Sequence, residues 1–233
     1  MSLLRVISTQ AEAQAKRGPD MSDAARLQRP KPLVLADLFS TTLFHDIVLV
    51  VAAAGLVGAL AQVSFRLSFT PVPVTGQTLG VLLAGTALGW KRGAAAMAFY
   101  AVAGVAGVPW FTGHASGYVG ATFGYIVGFI LCAGLCGFLA ERGADRALVR
   151  SVPAMIAGEI VLYGVGVTWL ALSLHLGAQK AIALGLTPFL VGDVVKAALA
   201  AALLPGIWVL ANRCWTEPPA RASGEGHKAK QRW

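Results

Sequence analysis

Charge is scarce in this chain. Asp, Glu, Lys and Arg together make up 13% of the 233 residues, against about 25% in an average soluble domain. Residues 67–90 and 93–140 carry no charged side chain, and Lys180 is the only one within 160–192. Hydrophobic residues reach 56%, and the mean hydropathy is +0.67. Because a helix crosses the hydrocarbon layer in about 20 residues, these uncharged runs predict a membrane protein.

Cysteine and histidine are few as well. Cys132 and Cys136 lie one helical turn apart in an apolar segment, and Cys214 stands far from them along the chain. The four histidines are scattered and form no zinc motif with them. We therefore expect Cys132 and Cys136 to be small core residues, and we expect no metal site and no zinc enzyme.

Features of two other protein classes are also lacking. No basic segment followed by an apolar core precedes the first long apolar run, so we expect no signal peptide. The net charge of +8 arises from basic residues beside the apolar runs and in the tails. Aromatic residues do not interleave with them, which argues against a nucleic-acid partner.

Turn-forming residues divide the apolar sequence into six helices. Prolines within 70–76 and the glycine-rich stretch 108–117 end helices that would otherwise be too long. The predicted helices cover about 45–65, 77–90, 92–107, 121–140, 153–175 and 184–211. The second is too short for a full crossing, so we expect it to cross part of the bilayer or to continue into a loop folded back into the protein. The fold class is thus an all-α integral membrane protein with six transmembrane helices. We expect a membrane domain at 41–212 and disordered cytoplasmic tails at 1–40 and 213–233.

Lys and Arg indicate the orientation. One side of the six-helix arrangement carries only Arg66 and Lys180. The other side collects the remaining basic residues near the spans, which are Arg26, Arg29, Lys31, Lys91, Arg92, Arg142, Arg146, Arg150 and Arg213. By the positive-inside rule both termini are cytoplasmic, and the loops around 70–76 and 108–118 face outward.

Asp193 and Lys196 are two charges inside an otherwise apolar segment. A charge near mid-membrane costs roughly 2.5 to 3.5 kcal/mol, so both should face protein or a water-filled pocket. Their spacing places them on one helix face, where they offer an acceptor and a donor side by side. That pair suits a polar, uncharged ring. The alternative is a self-neutralised pair that only fixes helix packing.

Small residues recur in the first span, with Ala54 and Gly58 four apart and Gly55 and Ala59 likewise. Such spacing lets helices approach closely. The neighbour can be a helix of this chain or a separate membrane subunit, and the sequence leaves both open.

The two outer loops carry polar and aromatic groups. The stiff segment 70–78 supplies Gln77 and threonine hydroxyls. The segment 108–118 places Trp110, Phe111 and Tyr118 among glycines that include Gly117. These aromatics fit either an anchoring belt at the membrane surface or a lid over an apolar ligand. In the fifth span, Tyr163 is a candidate ligand contact or a core residue, and Glu159 one turn earlier is expected in the cytoplasmic half.

Four motifs, in this order, resemble the BioY family, the biotin-binding S components of energy-coupling factor (ECF) transporters. They are Pro-Val-Pro-Val-Thr-Gly-Gln-Thr-Leu-Gly at 71–80, Tyr100 with Gly104, Gly107 and Gly113, Thr122-Phe-Gly-Tyr-x-x-Gly-Phe129, and Gly192-Asp-x-x-Lys196. The resemblance covers about residues 40–212.

The resemblance implies a substrate-capture subunit of a biotin uptake transporter in the inner (cytoplasmic) membrane. In proteins similar to BioY, residues matching Asp193 and Lys196 contact the ureido group of biotin. The other implied substrate-binding residues are Gln77, Trp110, Phe111, Gly117, Tyr118, Tyr125 and Tyr163. Ala54, Gly55, Gly58 and Ala59 would dock a transmembrane coupling subunit, which works with ATPase subunits. The chain lacks the phosphate-binding Gly-x-x-x-x-Gly-Lys pattern, so we expect it to need no cofactor and ATP to be used only by those partners.

Other functions remain open. The chain could be an S component for another vitamin, or a biotin transporter that works alone without the ATPase module. A membrane enzyme using Asp193 or Glu159 would need a nucleophile or metal that the spacing does not supply. A purely structural membrane subunit is the remaining alternative.

Overall fold

The computed structural model describes residues 33–38 and 42–216, with side chains described up to residue 210. In this part of the chain there are seven α-helices and one small antiparallel sheet. The helices are α1 (Leu43–Gln62), α2 (Gln77–Leu88), α3 (Trp90–Val105), α4 (Phe123–Glu141), α5 (Leu148–Ser173), α6 (Ala178–Gly185) and α7 (Leu190–Thr216). The strands are β1 (Ser64–Phe65) and β2 (Val74–Thr75), and short 3₁₀ turns occupy Leu35–Leu38, Gly120–Thr122 and Ala144–Arg146.

Four segments are long and apolar enough to cross a membrane. They are Leu43–Gln62, Gly120–Glu141, Leu148–Ser173 and Leu190–Leu210, and Gln77–Leu88 is a shorter apolar helix. The six predicted helices correspond to α1–α5 and α7. The predicted sixth helix began too early, because Pro188 separates α6 from α7 and disfavours helical backbone at the residue before it.

The helix ends follow from local chemistry. Thr42 caps α1, its hydroxyl accepting from the backbone N–H of His45 at 3.3 Å. Gly89, at φ +83°, separates α2 from α3 in a conformation that residues with a Cβ rarely adopt. Between α1 and α2 the chain forms a hairpin, with Ser64 opposite Thr75 and Phe65 opposite Val74. The proline-rich segment 66–73 is thus the connection of a hairpin that the sequence did not predict.

Helix α2 lies inside the bundle. It packs against α1, α3, α4 and α7, and α4 in turn packs against α3 and α5. Nine residues of this 12-residue helix are buried. The helices approach closely where side chains are small, since a Cβ on Gly85 would lie 2.5 Å from the carbonyl oxygen of Ala133 in α4. Cys132 and Cys136 of α4 are buried in the same core.

The edges of the predicted tails differ from the structure. Within the predicted N-terminal tail, Leu35 and Ala36 are buried, and Asp37 pairs with Arg92 of α3 at 2.8 Å. Asp46 of α1 also pairs with Arg92 at 2.8 Å, so one guanidinium joins three segments. Residues 213–216 continue α7 instead of beginning a tail. The rest of both predicted tails lies outside the described residues, and their disorder stays a prediction.

Candidate functional site

A cavity of about 610 Å³ lies between the α1–α2 hairpin, the α3–α4 loop and helices α2, α4, α5 and α7. Pockets for small molecules usually enclose about 300 to 1,000 Å³. Its wall is formed by Arg66, Leu67, Thr70, Pro71, Val72, Pro73, Thr75, Gln77, Thr78, Phe111, Thr112, Ala115, Ser116, Tyr118, Val119, Thr122, Tyr125, Ile126, Phe129, Leu162, Tyr163, Phe189, Asp193 and Lys196. This volume is large enough for one small organic molecule.

A polar cluster lies deep in this wall, where α7 meets α2. The Lys196 ammonium is 2.9 Å from Asp193 Oδ1 and donates to the Thr78 hydroxyl, also at 2.9 Å. The Thr78 hydroxyl donates to Asp193 Oδ1 at 3.1 Å. The Tyr163 hydroxyl of α5 donates to Asp193 Oδ2. Both carboxylate oxygens therefore have partners, although Asp193 is only 2% exposed.

This arrangement presents opposite hydrogen-bonding capacities next to each other. A carboxylate accepts only, an ammonium donates only, and a hydroxyl does both. Because Asp193 and Lys196 neutralise each other, burying them together avoids the cost of an isolated charge. A ligand with adjacent N–H and carbonyl groups matches such a surface.

The wall around the cluster is largely aromatic and apolar. The Tyr125 and Tyr163 rings meet edge to face, with centroids 6.2 Å apart. The Tyr125 hydroxyl donates to the Gly185 carbonyl at 2.8 Å, so its ring is held in place. Phe129 and Phe189 are buried and complete the apolar surface. Such a surface accommodates the hydrocarbon part of a ligand.

Gln77 connects the parts of the structure that cover the cavity. Its amide nitrogen donates to the Tyr100 hydroxyl at 2.8 Å. Its carbonyl oxygen accepts from Thr75 at 3.1 Å and from Thr112 at 3.2 Å. Gln77 thus links the hairpin to the α3–α4 loop, and its side-chain oxygen already has two donors.

The α3–α4 loop is fixed to α1 and α3. Gln62 donates from its amide to the carbonyls of Trp110 and Phe111 at 3.1 and 3.2 Å and accepts from the His114 N–H at 3.1 Å. The Trp110 indole lies against the Tyr100 ring with centroids 5.2 Å apart. Neither Gln62 nor Thr78 was predicted as a site residue, because a polar residue in an apolar helix does not reveal a partner dozens of residues away.

The structure brings together most of the predicted substrate-binding residues. Seven of them line the cavity, namely Gln77, Phe111, Tyr118, Tyr125, Tyr163, Asp193 and Lys196. Trp110 and Gly117 are outside the lining, and the Gly117 N–H donates to the Gly104 carbonyl at 2.8 Å. Tyr118 is 65% exposed at the edge of the cavity. Glu159 is not in the lining either, and its buried Oε1 has no hydrogen-bond partner among the described residues.

The small residues of α1 lie on two different faces of the helix. Ala54 and Gly58 are buried, and a Cβ on Gly58 would lie 3.1 Å from the Cβ of Trp110. Gly55 and Ala59 are exposed, and a Cβ on Gly55 would meet nothing within 4 Å. The first pair therefore serves packing within this chain, and the second pair lies on a surface that no described residue covers.

Known proteins resemble the chain over most of its length. The model of the BioY family matches residues 30–213. A protein of Rhizobium etli named biotin transporter BioY is 39% identical over 170 residues, which are 68% of this chain and 90% of the relative. A probable biotin transporter BioY of Pyrococcus horikoshii is 38% identical over 66% of this chain and 91% of its own length. The crystal structure of the S-component for biotin from an ECF-type ABC transporter matches with a TM-score of 0.65 at 22% identity, covering 73% of this chain and 95% of that one. This last likeness concerns the fold.

Proposed function

The chain belongs to the BioY family, and on this premise we propose that it captures biotin for uptake across the membrane. The family is one of transporters, so the chain is a transporter subunit and not an enzyme. The observation that carries the proposal is the polar cluster of the buried Asp193 and Thr78 with the half-buried Lys196 in the wall of a ligand-sized cavity.

The chemistry of biotin fits this cluster. The ureido ring has two N–H donors and one carbonyl acceptor. The Asp193 carboxylate would accept from the N–H side, and the Lys196 ammonium would donate to the carbonyl. Hydrogen bonds to charged groups are about twice as strong as those between neutral groups. The Tyr125 and Tyr163 rings would contact the apolar part of the bicyclic ring.

We propose six membrane crossings, with both termini cytoplasmic, in the inner membrane. The four long apolar helices support four of them, and α2 and α3 supply the others. At a rise of about 1.5 Å per residue, α2 is about 18 Å long, less than the roughly 30 Å of hydrocarbon. The hairpin 64–75 lies next to its N-terminal end and would complete the crossing. Irregular backbone at this depth is tolerated where protein surrounds it.

We further propose that α1 docks a transmembrane coupling subunit of an ECF module, whose ATPase subunits drive release of biotin to the inside. The surface is defined by the exposed residues Gly55 and Ala59, with Ala52 and Leu56 beside them. A second helix can approach closely over this surface. Ala54 and Gly58 point into this chain and are unavailable for the same contact.

Competition binding tests which vitamin the protein binds. The purified protein in detergent is incubated with labelled biotin and an excess of unlabelled biotin, thiamine, riboflavin or folate. We expect only biotin to displace the label. Displacement by another vitamin at a lower concentration would reassign the subunit to that vitamin.

Uptake tests the docking surface. Gly55→Leu with Ala59→Leu should abolish biotin uptake by cells that express the chain with a coupling module, while the purified variant binds biotin like the wild type. Ala198→Leu, on the exposed surface of α7, is the control and should leave uptake unchanged. Equal uptake with and without the module would contradict the module part of the proposal and favour a solitary transporter.

A further inference from the structure

Three charged residues line the cavity, and their charges do not cancel. Asp193 and Lys196 form an ion pair with each other. Arg66 is the third charged residue in the wall. The ion pairs among the described residues are Asp37–Arg92, Asp46–Arg92 and Asp193–Lys196, so Arg66 has no acidic partner there. The cavity wall therefore carries one uncompensated positive charge.

Arg66 is much more exposed to solvent than Asp193. Its side chain is exposed, whereas Asp193 is 2% exposed. The wall thus combines a self-neutralised polar pair in the interior, aromatic side chains and an exposed cation at the rim. A ligand that is polar but uncharged at one end and anionic at the other matches this combination of surfaces.

The backbone on either side of Arg66 is held by hydrogen bonds. Arg66 directly follows β1, which pairs with β2. Four residues later, the Thr70 hydroxyl donates to the Leu184 carbonyl of α6 at 2.6 Å. The guanidinium is therefore attached to a hairpin fixed at both ends. A cation on a fixed segment loses little backbone freedom when it binds a ligand.

We propose that Arg66 binds the carboxylate of the ligand's tail and is a specificity-determining residue for the anionic end of the substrate. This inference rests on the proposed function, since biotin carries a valerate carboxylate at the end remote from its ureido ring. A guanidinium presents parallel N–H groups that fit a carboxylate bidentately. Because the rim is exposed, we expect an effect of about tenfold on affinity, which is about 1.4 kcal/mol.

The test compares biotin with biotin methyl ester, which keeps both rings and removes the negative charge. Equilibrium binding is measured with wild type, Arg66→Gln, Arg66→Lys and Lys180→Gln. Lys180 is the matched control, because it is an exposed cation of α6 that does not line the cavity. By the proposed topology it lies on the same side of the membrane as Arg66.

We expect the wild type and Lys180→Gln to bind biotin about tenfold more tightly than the ester at low ionic strength. Arg66→Gln should lose this preference by weakening biotin binding while binding of the ester stays unchanged, and Arg66→Lys should keep part of it. Raising the salt concentration should reduce the preference of the wild type.

Two results would overturn the inference while leaving biotin capture intact. One is a wild type that binds biotin and the ester equally. The other is an Arg66→Gln variant in which the affinities for biotin and for the ester fall to the same extent, or in which neither falls. If the wild type binds neither ligand, the proposed function itself fails, and the two failures are thereby distinguished.

Discussion

At the scale of single residues, the interior of the cavity is organised by Asp193. Its two oxygens accept from Lys196, Thr78 and Tyr163, which come from three helices. A buried carboxylate is tolerated because each oxygen is satisfied, and removing one donor leaves part of that charge unpaired. The same contacts hold the carboxylate in a fixed orientation. We therefore expect substitutions here to change ligand affinity and folding stability together.

Tyr163 and Tyr125 provide a matched pair for this expectation. Both line the cavity, but only the Tyr163 hydroxyl bonds to Asp193, whereas that of Tyr125 bonds to the Gly185 carbonyl. Tyr163→Phe should weaken biotin binding about tenfold, because one carboxylate oxygen loses the donor that orients it. Tyr125→Phe should leave affinity within about twofold of the wild type and cost about 1 kcal/mol of stability. Equal loss of affinity in both variants, measured by titration calorimetry, would contradict the assignment.

Asp145 is a second buried carboxylate, in the connection between α4 and α5. It accepts from the Trp208 indole N–H through Oδ2, and Oδ1 has no partner among the described residues. Burial raises the pKa of the Asp145 carboxyl, and the Trp208 hydrogen bond and the Arg146 charge lower it less strongly. The stabilisation linked to its protonation is therefore present at acidic pH and is lost as the pH rises through the raised pKa of the folded state.

Asp145→Asn should consequently stabilise the folded protein at neutral pH by about 1 kcal/mol, since it removes a buried charge and keeps an acceptor for Trp208. The advantage should shrink as the pH falls toward about 3, below the ordinary Asp pKa of about 3.9, where the wild-type carboxyl is protonated in both states. Thermal unfolding of the variant and the wild type in detergent at several pH values measures this difference in stability. A variant that is less stable than wild type at neutral pH would contradict this account of Asp145.

At the scale of helices, α2 explains how a short segment forms the centre of the molecule. It is buried against four neighbours, and it contributes Gln77 and Thr78 to the cavity from its first turn. Small residues permit this packing, because a Cβ on Gly85 would meet the backbone of Ala133. Since backbone atoms of α4 cannot move aside like a flexible side chain, α2 and α4 would have to separate.

Gly85→Ala should therefore destabilise the protein by about 1 to 3 kcal/mol, the usual range for overpacking. The control is Gly164→Ala in α5, where a Cβ would meet nothing within 4 Å. Because alanine favours helix over glycine by up to about 1 kcal/mol, that variant should be unchanged or more stable. The melting temperatures of both variants are compared with that of the wild type in the same detergent. Equal destabilisation of Gly85→Ala and Gly164→Ala would refute the close approach of α2 and α4.

The helices of this architecture could be predicted from the sequence, but many of the contacts between them could not. Long uncharged runs and proline clusters were enough to predict α1–α5 and α7, because span length and helix breaking are local properties. Asp193 and Lys196 stood out as charges in an apolar helix. The α1–α2 hairpin and the bonds from Thr78 to Asp193 and from Gln62 to the α3–α4 loop were not predicted. Those contacts depend on how helices far apart in sequence are arranged, and a threonine in an apolar helix is compatible with many environments.

At the scale of the whole molecule, the two ends of the bundle differ in chemistry. The hairpin and the α3–α4 loop cover the cavity at one end. At the other end, Arg92 joins Asp37 and Asp46, and Asp145 bonds to Trp208. In the proposed orientation the first end faces outward and receives the ligand. The second end, which the positive-inside rule would make the cytoplasmic end, carries the described basic residues Lys91, Arg92, Arg142, Arg146 and Arg150.

Labelling of engineered cysteines tests this orientation. Ser116 in the α3–α4 loop and Arg150 near the start of α5 are both exposed. In a background with Cys214→Ser, a membrane-impermeant maleimide should label Ser116→Cys in intact cells and Arg150→Cys only after permeabilisation. The opposite pattern would invert the topology, and labelling of both in intact cells would contradict the number of crossings between them.

The most direct test of the account is equilibrium binding of labelled biotin to the purified protein, with wild type beside Asp193→Asn and Asp145→Asn. We predict one site per wild-type chain, loss of affinity of at least about 30-fold in Asp193→Asn, and wild-type affinity in Asp145→Asn, because losing a buried charge-assisted contact costs about 2 to 5 kcal/mol. Biotin binding of equal strength in wild type and a folded Asp193→Asn variant would contradict the central claim that this carboxylate recognises the ligand.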